Sequence, residues 1–386
     1  MSFEVMVGNK AIAWGAKLSR VQVAAAFPVT PQTTITQYLS EFVFDGSLDC
    51  EWVNAEGELS TQVIAQAASR AGARAFVCTS GPGQLYMHHP MHQTSSERLP
   101  VVMAVVHRSN KGMQPDHTDL MSQLFTGWIQ WYCENNQEVL DTCIIAYKVA
   151  EDMRVRLPIA YGADGFILSY TAEPVDIPDQ DEVDDFLPPY KPFPSYLPED
   201  FEPSMAMRRR RGDPQNAWKT HHEAILGAKE VITEVNEEFG KKFGRSYGNG
   251  LIEEYKCEDA EAVIVGMGTI ASTARAAIDK MWDEGKPVGL VKLKCLIPFP
   301  EEEFLRIGKE VHAIGMIDRN LCLGLGGVGF GLIRSLLFDS EDISKVIGFH
   351  AGLGGKEVRV NDIIKVAEKT LKVARGEKVD SLVEWV

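Results

Sequence analysis

Four short segments of this chain gather residue types that can hydrogen-bond a small ligand or carry a proton. Pro28-Val29-Thr30-Pro31-Gln32-Thr33 offers hydroxyls, and Glu56-Gly57-Glu58 offers two carboxylates. Thr79-Ser80-Gly81-Pro82-Gly83 combines hydroxyls with a turn small enough for close approach, and His107-Arg108 supplies an imidazole and a guanidinium. Each segment sits where a strand of a parallel sheet should end. One polar strand end is an ordinary cap or turn, and Glu58 alone would read as a helix-start glutamate favoured by the helix dipole. Four consecutive ends of this kind read as a ligand site, at the edge where open α/β sheets bind.

Two other glycine-rich turns invite a nucleotide reading and resist it. Gly266-Met267-Gly268-Thr269 lies between a strand and a helix, where free amides favour phosphate. However, Ala271 stands where the third glycine of G-x-G-x-x-G belongs, and Lys292 and Lys294 occupy the place of the expected acidic residue. A tight strand–helix turn accounts for the motif, so a self-contained nicotinamide dehydrogenase is set aside. The run from Gly324 to Gly331 (GLGGVGFG) lacks the Lys-Ser/Thr of a P-loop and reads as a helix start or a packing surface.

The elements that must position these residues alternate between strand and helix through about residue 170. Val21–Phe27 reads as a strand, and Pro31 to Phe44 as a helix with Thr30 as its N-cap. A helix starts near Glu58 and continues through Ala65, Ala67, Ala68 and Ser69 to Gly72; Ala75–Thr79 is the next strand. The apolar run VVMAVV before His107 is that of a strand buried on both faces. Such alternation implies an α/β layered fold. Eight prolines between Pro174 and Pro203, mixed with Asp and Glu, predict an extended connector, followed by a polar helix over Trp218 to Phe239. A second open α/β sheet starts near Asp259, with strands Ala262–Gly266, Val288–Lys292 and Ala313–Asp318 and an amphipathic helix over Ala271–Glu284. The expected division is residues 1–173, 174–258 and 259–386.

Bulk composition narrows the function classes. A net charge of −15 argues against nucleic acid as a partner, and Arg208 to Arg211 reads as a solvated or partner-facing patch. The first residues lack the features of a signal peptide, and no stretch reaches the ~20 apolar residues of a membrane span. The chain is therefore expected in the cytoplasm. Cys50, Cys78, Cys133, Cys143, Cys257, Cys295 and Cys322 show no metal-ligand spacing, so reduced thiols are expected, with no metal and no iron–sulfur cluster in this chain.

The segments GNKAIAWGAKL, AAFPVTPQTT, AEGELSTQVIAQAASRAGARAF, LPVVMAV, TGWIQWYCENNQEVLD and IGFHAGLGG resemble the α subunits of pyruvate-, 2-ketoisovalerate- and oxalate-type 2-oxoacid oxidoreductases. The resemblance runs in order over nearly the whole chain, including FLPPYK of the proline-rich stretch. It implies an open-sheet, pyrimidine-type thiamine diphosphate-binding domain followed by a transketolase C-terminal-like α/β domain.

The resemblance also implies the chemistry. Thiamine diphosphate would be shared with a β subunit that holds Mg²⁺ and the diphosphate through a GDG motif. That motif is missing here, and Asn135-Asn136 follow no GDG and fall in a helical stretch. Glu58 matches the glutamate that hydrogen-bonds the aminopyrimidine ring and thereby helps its amino group take up a proton. Pro28, Thr30, Ser80 and Gly81 match the cofactor side of the site. Thr30 and Arg108 match positions that hold the substrate, the arginine by forking onto a carboxylate. The lack of a second positive charge at Thr30 argues against a dianionic substrate.

The loop with Asn110, Lys111, Gly112 and Met113, ending in Asp116-His117, is shorter than in pyruvate-type relatives. Extra room there leans toward a bulkier 2-oxoacid, branched or aryl (phenylglyoxylate, for example), with pyruvate and 2-ketoisovalerate as alternatives. The implied reaction is oxidative decarboxylation of a 2-oxoacid to an acyl-CoA and CO₂. Iron–sulfur clusters and coenzyme A would belong with γ and ferredoxin-like δ subunits, and ferredoxin or an NAD-linked acceptor would take the electrons. A non-catalytic assembly subunit is the rival reading, and intact Thr30, Glu58 and Arg108 speak against it.

Overall fold

The computed structural model describes residues 2–192, 213–338 and 344–386. Its first part runs β1 (Ser2–Val7), α1 (Gly8–Leu18), β2 (Val23–Ala26), α2 (Thr33–Phe44), β3 (Glu51–Asn54), α3 (Glu58–Arg70) and β4 (Ala75–Thr79). It continues with α4 (Pro82–Tyr86), α5 (His88–Ser96), β5 (Val102–His107), α6 (Thr118–Met121), β6 (Ile129–Tyr132), α7 (Asn136–Glu151) and β7 (Ile159–Asp164). Then follow β8 (Ala172–Ile177), α8 (Gln180–Phe186) and the long helix α9 (Pro214–Phe243). The last part holds β9 (Ile252–Tyr255), β10 (Ala262–Gly266), α10 (Thr269–Asp283), β11 (Val288–Leu293), β12 (Cys295–Ile297) and α11 (Glu301–Glu310). It ends with β13 (Ala313–Asp318), α12 (Val328–Leu337), β14 (Lys345–His350), α13 (Val360–Ala374) and β15 (Val383–Trp385).

Two parallel-rich sheets result, as the alternation implies. The first has the order β12-β6-β7-β5-β4-β2-β3, and the second β15-β14-β13-β10-β11-β9. Every residue of β4, β5, β6 and β7 is buried. This explains their unbroken apolar runs: helices cover both faces, so no alternation with polar residues is needed. Of direct consequence for function, β3, β2, β4 and β5 are consecutive and parallel. Their four polar ends therefore line one edge of one sheet.

Two expectations need correction. Thr30 does not cap α2: the helix starts at Thr33 with Gln32 at the cap position, without a side-chain cap bond. The Gln32 amide instead donates to the Phe27 and Cys78 carbonyls at 2.9 and 3.1 Å, tying the turn to the ends of β2 and β4. Residues 174–186 are not an extended connector. β8 pairs antiparallel with β1, and α8 has a capping box between Asp179 and Glu182. Residues 193–212, which hold the end of the proline-rich stretch and Arg208 to Arg211, lie outside the described residues. β12 comes from the late part of the chain yet joins the first sheet through β6, so the two sheets are stitched together. The GLGGVGFG run is a helix start, because the Asp318 carboxylate accepts from the Gly329 and Phe330 amides at 2.9 Å each.

A buried ion-pair group holds the same seam. Lys292 and Lys294 of the late segment reach Glu138 on α7 at 2.8 and 2.6 Å, and Lys292 also meets Glu134 at 2.9 Å. Burial would raise the Glu138 carboxyl, but Lys292 and Lys294 outweigh it and pull the pKa down to about 2.

Candidate active site

The edge shared by β3, β2, β4 and β5 brings the expected residues into contact. Glu58 opens α3, and its carboxylate lies against the turn that follows β4. A β-carbon added at Gly83 would meet Glu58 Oε1 at 2.6 Å and Thr79 Oγ1 at 2.9 Å. The turn must therefore be small for the carboxylate to sit there. The hydroxyls of Thr79 and Ser80 are buried and have no hydrogen-bond partner among the described residues. Such hydroxyls are free to hydrogen-bond a ligand that reaches the turn.

Arg108 is the next residue along the edge. Its Nη1 donates to the Thr30 carbonyl at 3.1 Å and its Nε to the Gly112 carbonyl at 3.0 Å. Its aliphatic carbons rest 3.1 Å from where a β-carbon of Gly81 would be, and Gly81 has φ +48°. Of the five N–H donors of a guanidinium, two are thus used among the described residues and three remain. Thr30, Gly81, Arg108 and Gly112 form one cluster. Pro28 and Thr30 are exposed on the same turn.

The loop after β5 divides. Lys111, Gly112 and Met113 are exposed. Asn110 turns to α6 and donates to the Thr118 carbonyl at 3.0 Å. Asp116 and His117 are buried and bind the second half of the chain. Asp116 accepts from the Gly354 amide at 2.9 Å, and the His117 amide donates to the Arg319 carbonyl at 2.9 Å. Gln114 packs on Gly355. The AGLGG part of the late IGFHAGLGG motif therefore clamps the loop that carries Gly112.

Beneath Arg108 lies a buried polar network that sequence reasoning missed. Asp119 Oδ2 accepts from the Gly81 and Arg108 amides at 3.1 and 2.9 Å, and its Oδ1 faces His107 Nδ1 at 2.8 Å. His107 stacks on Tyr132 and lies 4.7 Å from the His117 ring. His117 Nε2 reaches Asp164 at 2.8 Å, and Asp164 is shared with Arg319 at 2.9 Å and with the Thr269 amide at 3.0 Å. Burial opposes charge on Asp164, yet Arg319 and then His117 hold its carboxyl well below the usual range. His117 is pushed down by burial. For His107, burial also lowers the pKa, but Asp119 leads the opposing charges and the net direction is up. His107, His117 and Asp164 have metal-ligand types within 4.8 Å of one another. The Arg319 guanidinium on Asp164 makes this a poor place for a cation. No local pattern marks this network, because its members come from separate elements and meet only through the fold.

Comparison with known proteins completes the picture. Residues 14–241 match a family described as pyruvate flavodoxin/ferredoxin oxidoreductase, thiamine diP-binding. Residues 260–363 match pyruvate:ferredoxin oxidoreductase core domain II. The chain is 40% identical over 393 residues to pyruvate synthase subunit PorA of Pyrococcus furiosus, covering 99% of this chain and 97% of that one. It is 39% identical over 391 residues to ketoisovalerate oxidoreductase subunit VorA of Pyrococcus horikoshii, with the same coverages. Its fold superposes with a TM-score of 0.73, at 17% identity, on 2-oxoglutarate:ferredoxin oxidoreductase from Magnetococcus marinus, solved with 2-oxoglutarate, coenzyme A and succinyl-CoA bound. That match spans 96% of this chain and 65% of the other. A split gene transketolase, in an inactive beta4 tetramer, matches with a TM-score of 0.57 at 12% identity over 95% of this chain and 99% of the other.

Proposed function

The chain belongs to the 2-oxoacid:ferredoxin oxidoreductase family, among its α subunits, and we propose that it supplies the aminopyrimidine and substrate-carboxylate sides of a thiamine diphosphate site completed by a partner chain. The observation that carries this reading is the contiguity of two groups on one sheet edge: Glu58 over the Thr79–Gly83 turn, and Arg108 over Thr30 and Gly81. The orphaned Thr79 and Ser80 hydroxyls and the Glu58 carboxylate against Gly83 suit a ring with polar edges.

Glu58 would hold the ring nitrogen, and Pro28, Thr30, Ser80 and Gly81 would flank the ring. When bound, thiamine diphosphate supplies a nucleophilic carbon and a sink for the electron pair released with CO₂. The protein's own contribution is positional and electrostatic. Glu58 keeps a carboxyl where a proton must be shared, which is general acid–base work. Arg108 presents its remaining N–H groups to a carboxylate with Thr30 beside it. Overly tight binding of that carboxylate would oppose its loss, so the useful contacts are those that strengthen toward the transition state.

The substrate we favour is a short aliphatic 2-oxoacid, with the branched 2-ketoisovalerate ahead of pyruvate because the exposed Gly112–Met113 stretch leaves room beside Arg108. The relatives are named for pyruvate and ketoisovalerate. They give an aryl acid such as phenylglyoxylate no support. With no GDG motif and no cluster-ligand spacing in the chain, Mg²⁺, the diphosphate and iron–sulfur clusters fall to partner subunits. Coenzyme A, bound in the 2-oxoglutarate enzyme, would take the acyl group. Leu59, Val63, Leu85 and Tyr86, exposed on α3 and α4 beside Glu58, offer an apolar wall for the diphosphate-binding partner. Among the described residues, no helix is long and apolar enough to cross a membrane. The domain division 1–173, 174–258 and 259–386 is part of this proposal.

The test is to isolate the complex through a tag on this chain and assay 2-oxoacid-dependent, coenzyme A-dependent dye reduction. The same sample is titrated for thiamine diphosphate. A complex that binds no thiamine diphosphate would overturn the reading and leave an assembly role.

A further inference from the structure

Asp119 is fully buried on α6, contacts neither Glu58 nor the guanidinium of Arg108 by its own hydrogen bonds, and yet fixes the backbone beneath the site. Its carboxylate takes four donors. Oδ2 accepts from the Gly81 and Arg108 amides at 3.1 and 2.9 Å, and Oδ1 from the Leu120 amide at 2.7 Å and His107 Nδ1 at 2.8 Å. Two bonds therefore bridge the first residue after β5 to the turn after β4, across neighbouring strands. The other two lock the bridge to α6 and to an imidazole. We propose that Asp119, held by His107, is a positioning residue that sets where Arg108 meets the substrate carboxylate; this rests on the reading of Arg108 given above.

The geometry leaves the pair no alternative arrangement. His107 lies on Gly162, where no β-carbon fits, and it is stacked on Tyr132 at 5.3 Å between ring centroids. His117, Asp164 and Arg319 close the far side. With the ring fixed, its Nδ1 points at Asp119, and Asp119 cannot rotate without losing charge-assisted bonds to two amides. The Arg108 side chain then runs along Gly81, which is held by the same carboxylate. Displacing Asp119 should thus shift Gly81 and Arg108 together. Arg108 holds the carboxylate before and during the reaction, so a small displacement of its guanidinium should weaken substrate binding more than the chemical step.

Asp119→Asn keeps the shape but turns an amide group toward surrounding N–H donors. In the isolated complex it is expected to raise the KM for 2-ketoisovalerate or pyruvate about tenfold with kcat changed less than about threefold. Hydrogen exchange should accelerate in residues 79–84 and 105–112 and stay unchanged in the second sheet. A substitution that is merely destabilising would speed exchange throughout and move kcat and KM without this split. If Asp119→Asn fails to fold, His107→Leu and His107→Asn decide: asparagine keeps a donor near the Nδ1 position and should recover most of the KM loss seen with leucine. An unchanged KM and unchanged local exchange in the folded variants would overturn the proposal. Arg108→Lys is measured in parallel. If it leaves KM unaltered, the assignment of Arg108 fails; local exchange at 79–84 and 105–112 then still judges whether Asp119 fixes those turns, and its absence overturns the inference separately.

Discussion

The Glu58 carboxylate sits on the α-carbon of Gly83, so closely that a methyl group there would come within 2.6 Å of Oε1. Gly83 is the second residue of α4, at ordinary backbone angles, so alanine would favour the helix itself. Gly83→Ala should therefore leave thermal stability within about 1 kcal/mol of the parent. It should also displace Glu58 and lower kcat/KM of the complex at least about tenfold. A variant with parental kinetics would show that Glu58 has freedom the structure does not indicate.

Glu58→Gln tests the carboxyl itself. Glutamine fills the same space and still accepts a hydrogen bond through its oxygen, but it cannot share a proton in the same way. The complex should keep its thiamine diphosphate affinity to within a few-fold and lose roughly 10²- to 10⁴-fold in kcat. Activity within about threefold of the parent would remove Glu58 from the mechanism.

Three of the strand ends were legible in the sequence because the polar or glycine segment follows a run that parallel burial makes apolar, as in VVMAVV before His107-Arg108, whereas the edge strand β3 (EWVN) has no such run. The helix start at Glu58 and the Thr79–Gly83 turn could be placed from local pattern, whereas a role for Glu58 came only with the family resemblance. Asp119, Asp164 and Arg319 could not, because they meet only through the fold: one sits on a four-residue helix, one ends β7, and one follows β13. None lies in a periodic segment, and a single buried Asp has no sequence signature. The three-residue strand β12 was equally silent, being too short for any alternation to show. Thr30 as a helix cap was a reasonable local reading, overridden by Gln32 bonding across two strands.

The seam between the two halves should make stability depend on acid. Glu138 is fully buried and bonded to Lys292 and Lys294. Its folded pKa of about 2 lies below the ordinary 4.5. A depressed carboxyl contributes stability that is complete above pH 4.5 and is lost as pH falls toward 2. Glu138→Gln leaves two lysines facing a neutral group and should cost about 3–5 kcal/mol at neutral pH. The variant should also lose part of the slope of stability against pH in the 4.5-to-2 window. Denaturant unfolding followed at several pH values measures both. Equal slopes for variant and parent would show that Glu138 is not the group being titrated.

Gly355 touches the site only through the loop it supports. Its φ is +80°, and a side chain there would run into Gln114. Gln114 in turn accepts from the Ser109 amide through its carbonyl at 2.9 Å, in the loop whose Gly112 carbonyl holds Arg108 Nε. Gly355→Ala should therefore raise the KM for the 2-oxoacid by about threefold or more through Arg108, in addition to a backbone cost of roughly 1–2 kcal/mol. A destabilised variant whose KM is unaltered would disconnect the clamp from the substrate.

Substrate choice follows from the same loop. Gly112 carries no side chain, and Met113 is half exposed, an unbranched thioether that adapts to varied apolar shapes. Both lie beside the only guanidinium bonded to Thr30 among the described residues, so the acid's side chain should extend toward them. Going from pyruvate to 2-ketoisovalerate adds two carbon groups at about 0.8 kcal/mol each when buried. That corresponds to roughly tenfold in kcat/KM if the pocket accepts them. A pocket closed by the partner chain would instead reject the branched acid. Measuring kcat/KM for pyruvate, 2-ketoisovalerate and phenylglyoxylate on one preparation separates these cases. A preference for pyruvate would show that the partner, and not the open loop, limits the size of the acid, while leaving Arg108 as the group that holds its carboxylate.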